Sequence, residues 1–472
     1  MGRNKKTVDK NKQGLNISAK SFITALLVIF ALMIGTYILT FIIPGGAYAR
    51  ITDASGNQMI DTSVAFVNVE GGLPFWKWAL SPLLVLGAEG SGTIIAVLVF
   101  LLVVGGVFNG LGKSGLMQYM LDRIVDKFGG KKYRLIAIVT LFFMAMGAFI
   151  GSYEECVPLV PLVVAICVGL GFDALTGLYV SLLAAGCGFA SGVCNPFTVG
   201  VAQELAGLPM FSGMWLRGIA FVFIYSLLIW FVYRHVKKVE RTVEKEARAV
   251  FQIDSRFDRG LKAFAIILGC GILLVLSSGI IPALQDYTMI IVSVMFLVAG
   301  ILSVKLAGVT WKEFGKDFLE GMMSVLPAVL MILMASSIKY ILVEGNILDT
   351  ILHWAVVYAE GLQPWMIVLF IYLLVLVMNF FIASGSAKAF LLIPLIVPMA
   401  QMFGISPQLC VLAFAFGDGF SNAFYPTNPV LLISIGLADV SYGTWAKKTW
   451  KFQALNLLLT SVILIVGFVI GY

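Results

Sequence analysis

Apolar residues gather into long blocks along the chain, and polar residues are confined mainly to the connections between them. Runs at about 21–43, 93–112, 174–206, 214–233, 262–282, 287–305, 319–343, 407–437 and 452–471 are each near or above the length that crosses a hydrocarbon core. This pattern predicts an all-α polytopic membrane protein with about nine spans. Two further stretches, 134–171 and 364–403, are about twice too long for one span and carry polar residues at their centres. Either could be two full spans or a re-entrant hairpin, since both preserve the parity of crossings.

Composition agrees: 60% of the 472 residues are apolar, 12% are charged, and mean hydropathy is +0.99. A soluble enzyme is excluded. With two His, one (His235) read in a charged loop and the other (His353) in a polar connection, zinc chemistry and His-based triads have little material. The six Cys show no CxxC spacing and read as small core residues, so no metal site or cofactor is expected. No GxxxxGK[ST] motif occurs, so the sequence gives no sign of ATP hydrolysis.

The position of charge sets the topology. Of 32 Lys and Arg, 27 fall in 1–20, 113–134, 234–262, 305–320 and at Lys447, Lys448 and Lys451. The positive-inside rule makes these segments cytoplasmic and turns 44–78, 207–213 and 344–363 outward. The net charge of +7 therefore reflects a membrane topology and no nucleic-acid partner. The N-terminus is expected inside the cell membrane and the C-terminus outside. The first apolar run lacks a small-x-small cleavage site and should remain as a span. Trp76, Trp78, Trp445 and Trp450 lie beside predicted span ends and read as interfacial anchors.

An offset of 233 residues aligns Pro161 with Pro394, Gly171 with Gly404, Gly186 with Gly419, Asn195 with Asn428 and Pro196 with Pro429. On the charge-derived topology the two copies are inverted, a design used by secondary transporters. Each copy interrupts a span at a polar cluster, Ser191 to Thr198 in the first and Ser421 to Pro429 in the second. Asn followed by Pro is a helix-start signal: Asn caps early N–H groups and Pro at the first position has no N–H to orphan. A restarted helix aims N–H groups at the bilayer midplane, suited to carboxylates, and the half before it leaves carbonyls suited to cations.

The hairpin tips supply the rest of a candidate site. The first carries Ser152, Glu154 and Glu155, the second Ser384, Ser386 and Lys388, and Lys388 stands at the position equivalent to Glu155. Charges at that depth are costly unless paired or hydrated, so they are either substrate ligands or a Glu155–Lys388 ion pair locking the tips. The candidate substrate set is Ser152, Glu154, Glu155, Asn195, Thr198, Ser384, Ser386, Lys388, Thr427 and Asn428. Ser191, Asn195, Asp418 and Asn422 form the candidate coupling-ion set, with a scaffold role for Asp418 as the alternative. Glu204 and Arg217 flank an outer turn and could pair across it.

The segments IIPGGAY, SYEECVPLVPL, GFDALTGL, CNPFTVGVA and YPTNPVLL resemble the anaerobic C4-dicarboxylate carrier family, more closely its YfcC-like branch, over roughly residues 20–472. That family lies in the ion transporter superfamily. The resemblance implies re-entrant hairpins and an elevator carrier, often a homodimer, with a fixed scaffold and a moving transport domain. On this plan 1–20 is a cytoplasmic tail, 21–112 and 262–343 are scaffold, and 134–206 and 364–437 are transport elements. The stretches 207–233 and 452–471 are single spans, and 234–261 is a cytoplasmic linker. Asn195 with Thr198, and Thr427 with Asn428, match the superfamily's Ser-Asn-Thr signature for carboxylate and sodium only loosely.

Family members carry C4-dicarboxylates, and those similar to the YfcC-like branch include proposed basic amino-acid carriers and arginine/ornithine exchangers. Two Glu at one tip favour an amine or guanidinium, while the helix starts favour a carboxylate, and an amino acid satisfies both. The expected substrate is a small charged amino acid, moved by exchange or by coupling to sodium or protons. The alternatives are a C4-dicarboxylate or other organic anion, then a passive channel or an intramembrane enzyme, the last without a nucleophile or metal constellation.

Overall fold

A computed structural model describes residues 19–52, 58–61, 63–88, 91–151, 153–157, 159–240, 254–278, 287–359 and 361–472. Nearly all regular structure is helical. The chain opens with α1 (Ala19–Ile42), α2 (Phe75–Leu84), α3 (Ser91–Lys113) and α4 (Leu116–Phe128). The first repeat follows as α5 (Lys132–Ala145), α6 (Leu159–Gly169), α7 (Ala174–Leu178), α8 (Ala184–Ser191), α9 (Val201–Leu205) and α10 (Met214–Val239). A middle block holds α11 (Ser255–Ser278), α12 (Thr288–Leu306), α13 (Trp311–Ser324), α14 (Leu326–Glu344) and α15 (Leu348–Ala359). The second repeat runs α16 (Pro364–Phe381), α17 (Gly385–Met402), α18 (Pro407–Gly419), α19 (Pro429–Leu437) and α20 (Tyr442–Val469).

Eight helical stretches among the described residues are long and apolar enough to cross a bilayer, and the protein is a multi-pass membrane protein. Large apolar side chains such as Phe223, Leu458 and Val469 stand exposed on α10 and α20, as lipid-facing positions of a membrane protein do. The eight include Lys132–Ile150, Pro364–Phe381 and Gly385–Met402, arms of the two expected hairpins. At 18 or 19 residues these arms reach about 27 Å, so length alone does not make them half-depth. The expected span at 319–343 is also two elements: α13, whose Thr310–Glu313 capping box starts an amphipathic helix, and the apolar α14.

The repeat is visible cap for cap. Gly171 and Gly404 both adopt positive φ, and both ends close with the same backbone bonds, Phe172 N–H to Cys167 O and Ile405 N–H to Ala400 O. The next helix in each copy is capped by a side-chain oxygen, Asp173 onto Thr176 and Ser406 onto Leu409. All five pairs stand 233 residues apart.

Two packing groups emerge. α1, α2, α3, α11, α12, α13 and α14 pack mainly on one another, and the two repeats form the second group around α8 and α18, with α10 and α20 against them. Glycine sets the crossings in the second group. A Cβ at Gly188 would lie 1.9 Å from Met144 O, and one at Gly419 would lie 2.0 Å from Ala190 Cα. Backbone meets backbone there, as in membrane packing by small residues.

Between α1 and α2 the chain forms two antiparallel ribbons, β1 (Gly46–Ala47) with β4 (Val67–Asn68) and β2 (Arg50–Thr52) with β3 (Gln58–Ile60). β3 packs on α17, and Arg50 pairs with Asp349 of α15 at 2.8 Å. His353 lies within α15, its ring stacked on Phe66 at 4.1 Å and bonded to the Tyr48 hydroxyl at 3.0 Å. His235 likewise sits in α10, with Nε2 3.0 Å from Asp173 Oδ1. Of the six Cys, Cys270 is exposed and Cys194 half-buried, so the core reading holds for the other four.

Candidate functional site

Both breaks restart as the Asn-Pro signal requires. Asn195 Oδ1 accepts the N–H groups of Phe197 at 2.9 Å and Thr198 at 3.3 Å, and Asn428 Oδ1 accepts those of Val430 at 2.9 Å and Leu431 at 3.3 Å. Pro196 and Pro429 occupy the first helical position in each case. The equivalent residues make equivalent bonds.

Each tip touches the break of its own repeat. Cys194 N–H donates to Ala148 O at 3.0 Å, and a Cβ at Gly151 would strike Asn195 Oδ1 at 2.2 Å. In the second repeat Lys388, just past the tip, reaches Asp418 at the end of α18. The breaks also meet one another: Gly419 lies against Ala190, and Gly186 against Ala423. A Cβ at Gly385 would lie 2.5 Å from Asp418 Oδ2 and 2.5 Å from Thr198 Cγ2, so the second tip joins both repeats.

Lys388 is fully buried, and its partner is Asp418, with Nζ 2.5 Å from Oδ1 and both side chains at 0% exposure. The ammonium also donates to Asn379 Oδ1 and, at 2.8 Å, to Ile382 O. Asn379 carries the network on: its Nδ2 donates to Asp418 O, Ser421 Oγ and Asn422 Oδ1, and Asn422 Oδ1 in turn accepts Asn428 Nδ2 at 3.0 Å. Asp418, Asn422, Asn428 and Lys388 thus come together. Sequence reading missed Asn379, although an Asn inside an otherwise apolar arm was the available signal.

The carbonyls of the second break are not bare, contrary to expectation. Trp445 Nε1 donates to Ala423 O at 2.7 Å, Tyr442 to Phe424 O at 3.1 Å and Gln453 to Phe420 O at 3.4 Å. Trp445 is fully buried and serves as a carbonyl cap, so the interfacial reading is wrong for it; Trp76 and Trp450 are exposed. Thr427 likewise donates to Phe380 O and ties the second break to α16.

At the first break Asn195 Nδ2 and Thr198 Oγ1 are buried with no hydrogen-bond partner among the described residues, and so is the hydroxyl of Tyr153 beside Gly186. Ser191 donates to Gly188 O of its own helix. Arg217 does not pair with Glu204. Fully buried, it donates to Val193 O in the break, to Phe211 O and Ser212 O, and to the Tyr472 hydroxyl. Its guanidinium braces the first restart, a role that its position in the sequence concealed.

Ser384 caps α17 through Ala387 N–H and is exposed, and Ser386 is half-buried. Glu154 is half-buried in a turn that packs against α12. Ser152 and the side chain of Glu155 lie outside the described residues. Among the described residues no group of His, Cys, Asp and Glu could hold a metal ion.

A multi-pass helical protein whose two broken helices meet at buried, charged polar groups falls in the class of membrane transporters. The chain belongs to the DcuC family, C4-dicarboxylate anaerobic carrier, whose model matches residues 22–469. It is 31% identical over 407 residues to the "Putative basic amino acid antiporter YfcC" of Escherichia coli K12, covering 81% of this chain and 79% of that protein. A Haemophilus influenzae protein of undescribed function is 24% identical over 391 residues, covering 80% of this chain and 76% of its own length. Among solved structures, the YdaH transporter of Alcanivorax borkumensis aligns at 18% identity and TM-score 0.44 over 96% of this chain and 99% of its own. MtrF of Neisseria gonorrhoeae aligns at 16% and 0.43 over 95% and 96%.

Proposed function

We propose that this protein is a secondary active carrier of a charged amino acid, of the cationic type, working by exchange or ion-coupled uptake. The observation that carries the reading is the Lys388–Asp418 pair. Lys388 is the basic residue that could have met a second substrate carboxylate, and Asp418 neutralises it within the protein. Arg217 is committed to carbonyls and Tyr472. Glu154 at the first tip then favours an amine or guanidinium, while Asn195 Nδ2 and Thr198 Oγ1 are donors suited to one carboxylate. The likeness to a relative named as a basic amino acid antiporter supports the same reading.

The inverted arrangement of the repeats, re-entrant hairpins and an elevator motion of the repeat group against the other helices, in a homodimer, complete the proposal. The tip-to-break contacts support hairpins that end near the centre of the broken spans. The second reading, a C4-dicarboxylate carrier, is favoured by the family description. Uptake and counterflow in proteoliposomes with labelled arginine, ornithine, lysine, succinate and fumarate separate the two. Cationic amino acids are expected to enter and to exchange; succinate uptake that arginine neither enters into nor inhibits would overturn the assignment. Glu154→Gln should weaken arginine binding about 30-fold, the worth of one charge-assisted hydrogen bond of about 2 kcal/mol.

A further inference from the structure

Lys388 has the surroundings of a bound alkali cation. Its ammonium meets three oxygens of three chemical kinds: the carboxylate of Asp418, the amide of Asn379 and the main-chain carbonyl of Ile382. No nitrogen or sulfur takes part in these bonds. Ile382 follows the last residue of α16, where the negative end of the helix dipole adds to the attraction for a cation. The second oxygen of Asp418 has no hydrogen-bond partner among the described residues and stands beside Gly385, the residue that opens α17. A hard monovalent ion binds to just such a set of carboxylate, amide and carbonyl oxygens.

The side chain reaches this shell from three residues into α17, while Asn379 lies near the end of α16, so the ammonium also bridges the two arms of the second hairpin. An ion in the same place would tie the arms together in the same way. The difference is that a tethered ammonium cannot dissociate into either compartment.

We propose that Lys388 is a built-in cation occupying a sodium-type oxygen site, so that no free alkali ion binds at this position during transport. The proposal rests on the carrier reading above and deepens it by removing this site from the list of coupling-ion sites. It also predicts a latent property: Lys388→Ala should free the oxygens of Asp418, Asn379 and Ile382 to bind sodium or lithium.

The test needs no organic substrate, so an error in the substrate assignment leaves it intact. Melting temperatures of the purified full chain in detergent are compared in about 150 mM NaCl, LiCl and choline chloride. The wild-type protein should show no sodium- or lithium-dependent shift that Asp418→Asn removes. Lys388→Ala should melt lower in choline and recover by at least about 2 °C in sodium or lithium, as a ligand selective for the native state requires. Adding Asp418→Asn should abolish that recovery.

A folded Lys388→Ala protein indifferent to sodium would overturn the proposal. So would a wild-type protein that sodium stabilises and whose response Asp418→Asn removes, because a free ion would then already share the site. Should Lys388→Ala yield no folded protein in any salt, the wild-type and Asp418→Asn comparison still decides.

Discussion

Removing both members of the Lys388–Asp418 pair should cost less than the two single removals added together. Lys388→Met preserves most of the side-chain volume and deletes the ammonium, stranding a fully buried carboxylate whose second oxygen already lacks a hydrogen-bond partner. Breaking a buried pair in this way costs about 3–5 kcal/mol. Asp418→Leu strands the ammonium with two neutral oxygens, Asn379 Oδ1 and Ile382 O, and should cost a similar amount. Lys388→Met with Asp418→Leu leaves no buried charge, and its remaining cost is an unmet acceptor on Asn379 and on Ile382, about 2–6 kcal/mol together. The singles therefore sum to about 6–10 kcal/mol against about 2–6 for the double, a coupling of about 4 kcal/mol. An unfolding entropy of about 2.1 cal/mol/K per residue over 472 residues gives about 1 kcal/mol/K, so each single should lower the melting temperature by about 4 °C. Fluorescence-detected size-exclusion thermostability in sodium-free buffer reads this directly. A double variant as unstable as the two singles added together would refute the reasoning, because the charges would then not be neutralising one another.

Two further outcomes follow from other parts of the molecule. Burial alone would raise the Asp173 carboxyl, but bonds from His235 and Thr176 hold it down, at about 2. Its lowered value means that the stabilisation is present above the unfolded value of 3.8 and is lost as pH falls toward 2; with the side chain about a third exposed, it is worth about 1 kcal/mol. Asp173→Asn, which can still cap α7, should flatten the pH dependence of melting between about pH 4 and 2, and an unchanged slope would show that this pair contributes nothing. Gly419→Ala should abolish monodisperse protein, since its Cβ would lie 2.0 Å from Ala190 Cα, whereas Gly218→Ala on α10, with open space at that point, should be neutral or raise stability by up to about 1 kcal/mol. Equal behaviour of the two in size-exclusion profiles would contradict the glycine argument.

Much of this is legible in the sequence, for a physical reason. Asn195-Pro196 and Asn428-Pro429 state their own local structure, because cap chemistry depends on residues two and three positions away. The partner of Lys388 was not legible: Glu155 at the equivalent position and Asp418 both lie within apolar stretches of the sequence, and separation along the chain does not rank them. Trp445 beside a span end reads like Trp450, yet one caps a carbonyl in the core and the other faces outward, a matter of helix rotation that position beside a span end does not encode. The ribbons at 46–68 were hidden because strands of two or three residues carry no periodicity.

The two breaks share a sequence signature and a cap geometry, but their neighbours make them chemically unlike. At the second, α20 and α16 bring Trp445, Tyr442, Gln453 and Asn379 to the carbonyls that the interruption frees, and Lys388 answers Asp418. The freed carbonyls of that half are met from within the protein. At the first, Arg217 meets one carbonyl and Cys194 closes on Ala148, yet the donors of Asn195 and Thr198 are buried without acceptors among the described residues. Each such donor costs about 1–3 kcal/mol, so the two together favour acceptor oxygens by about 2–6 kcal/mol. A carrier built from equal halves would bind alike at both breaks. On the carrier reading proposed above, the Lys that stands where the first repeat has Glu155 makes the second half a neutral support and leaves the first to recognise the solute.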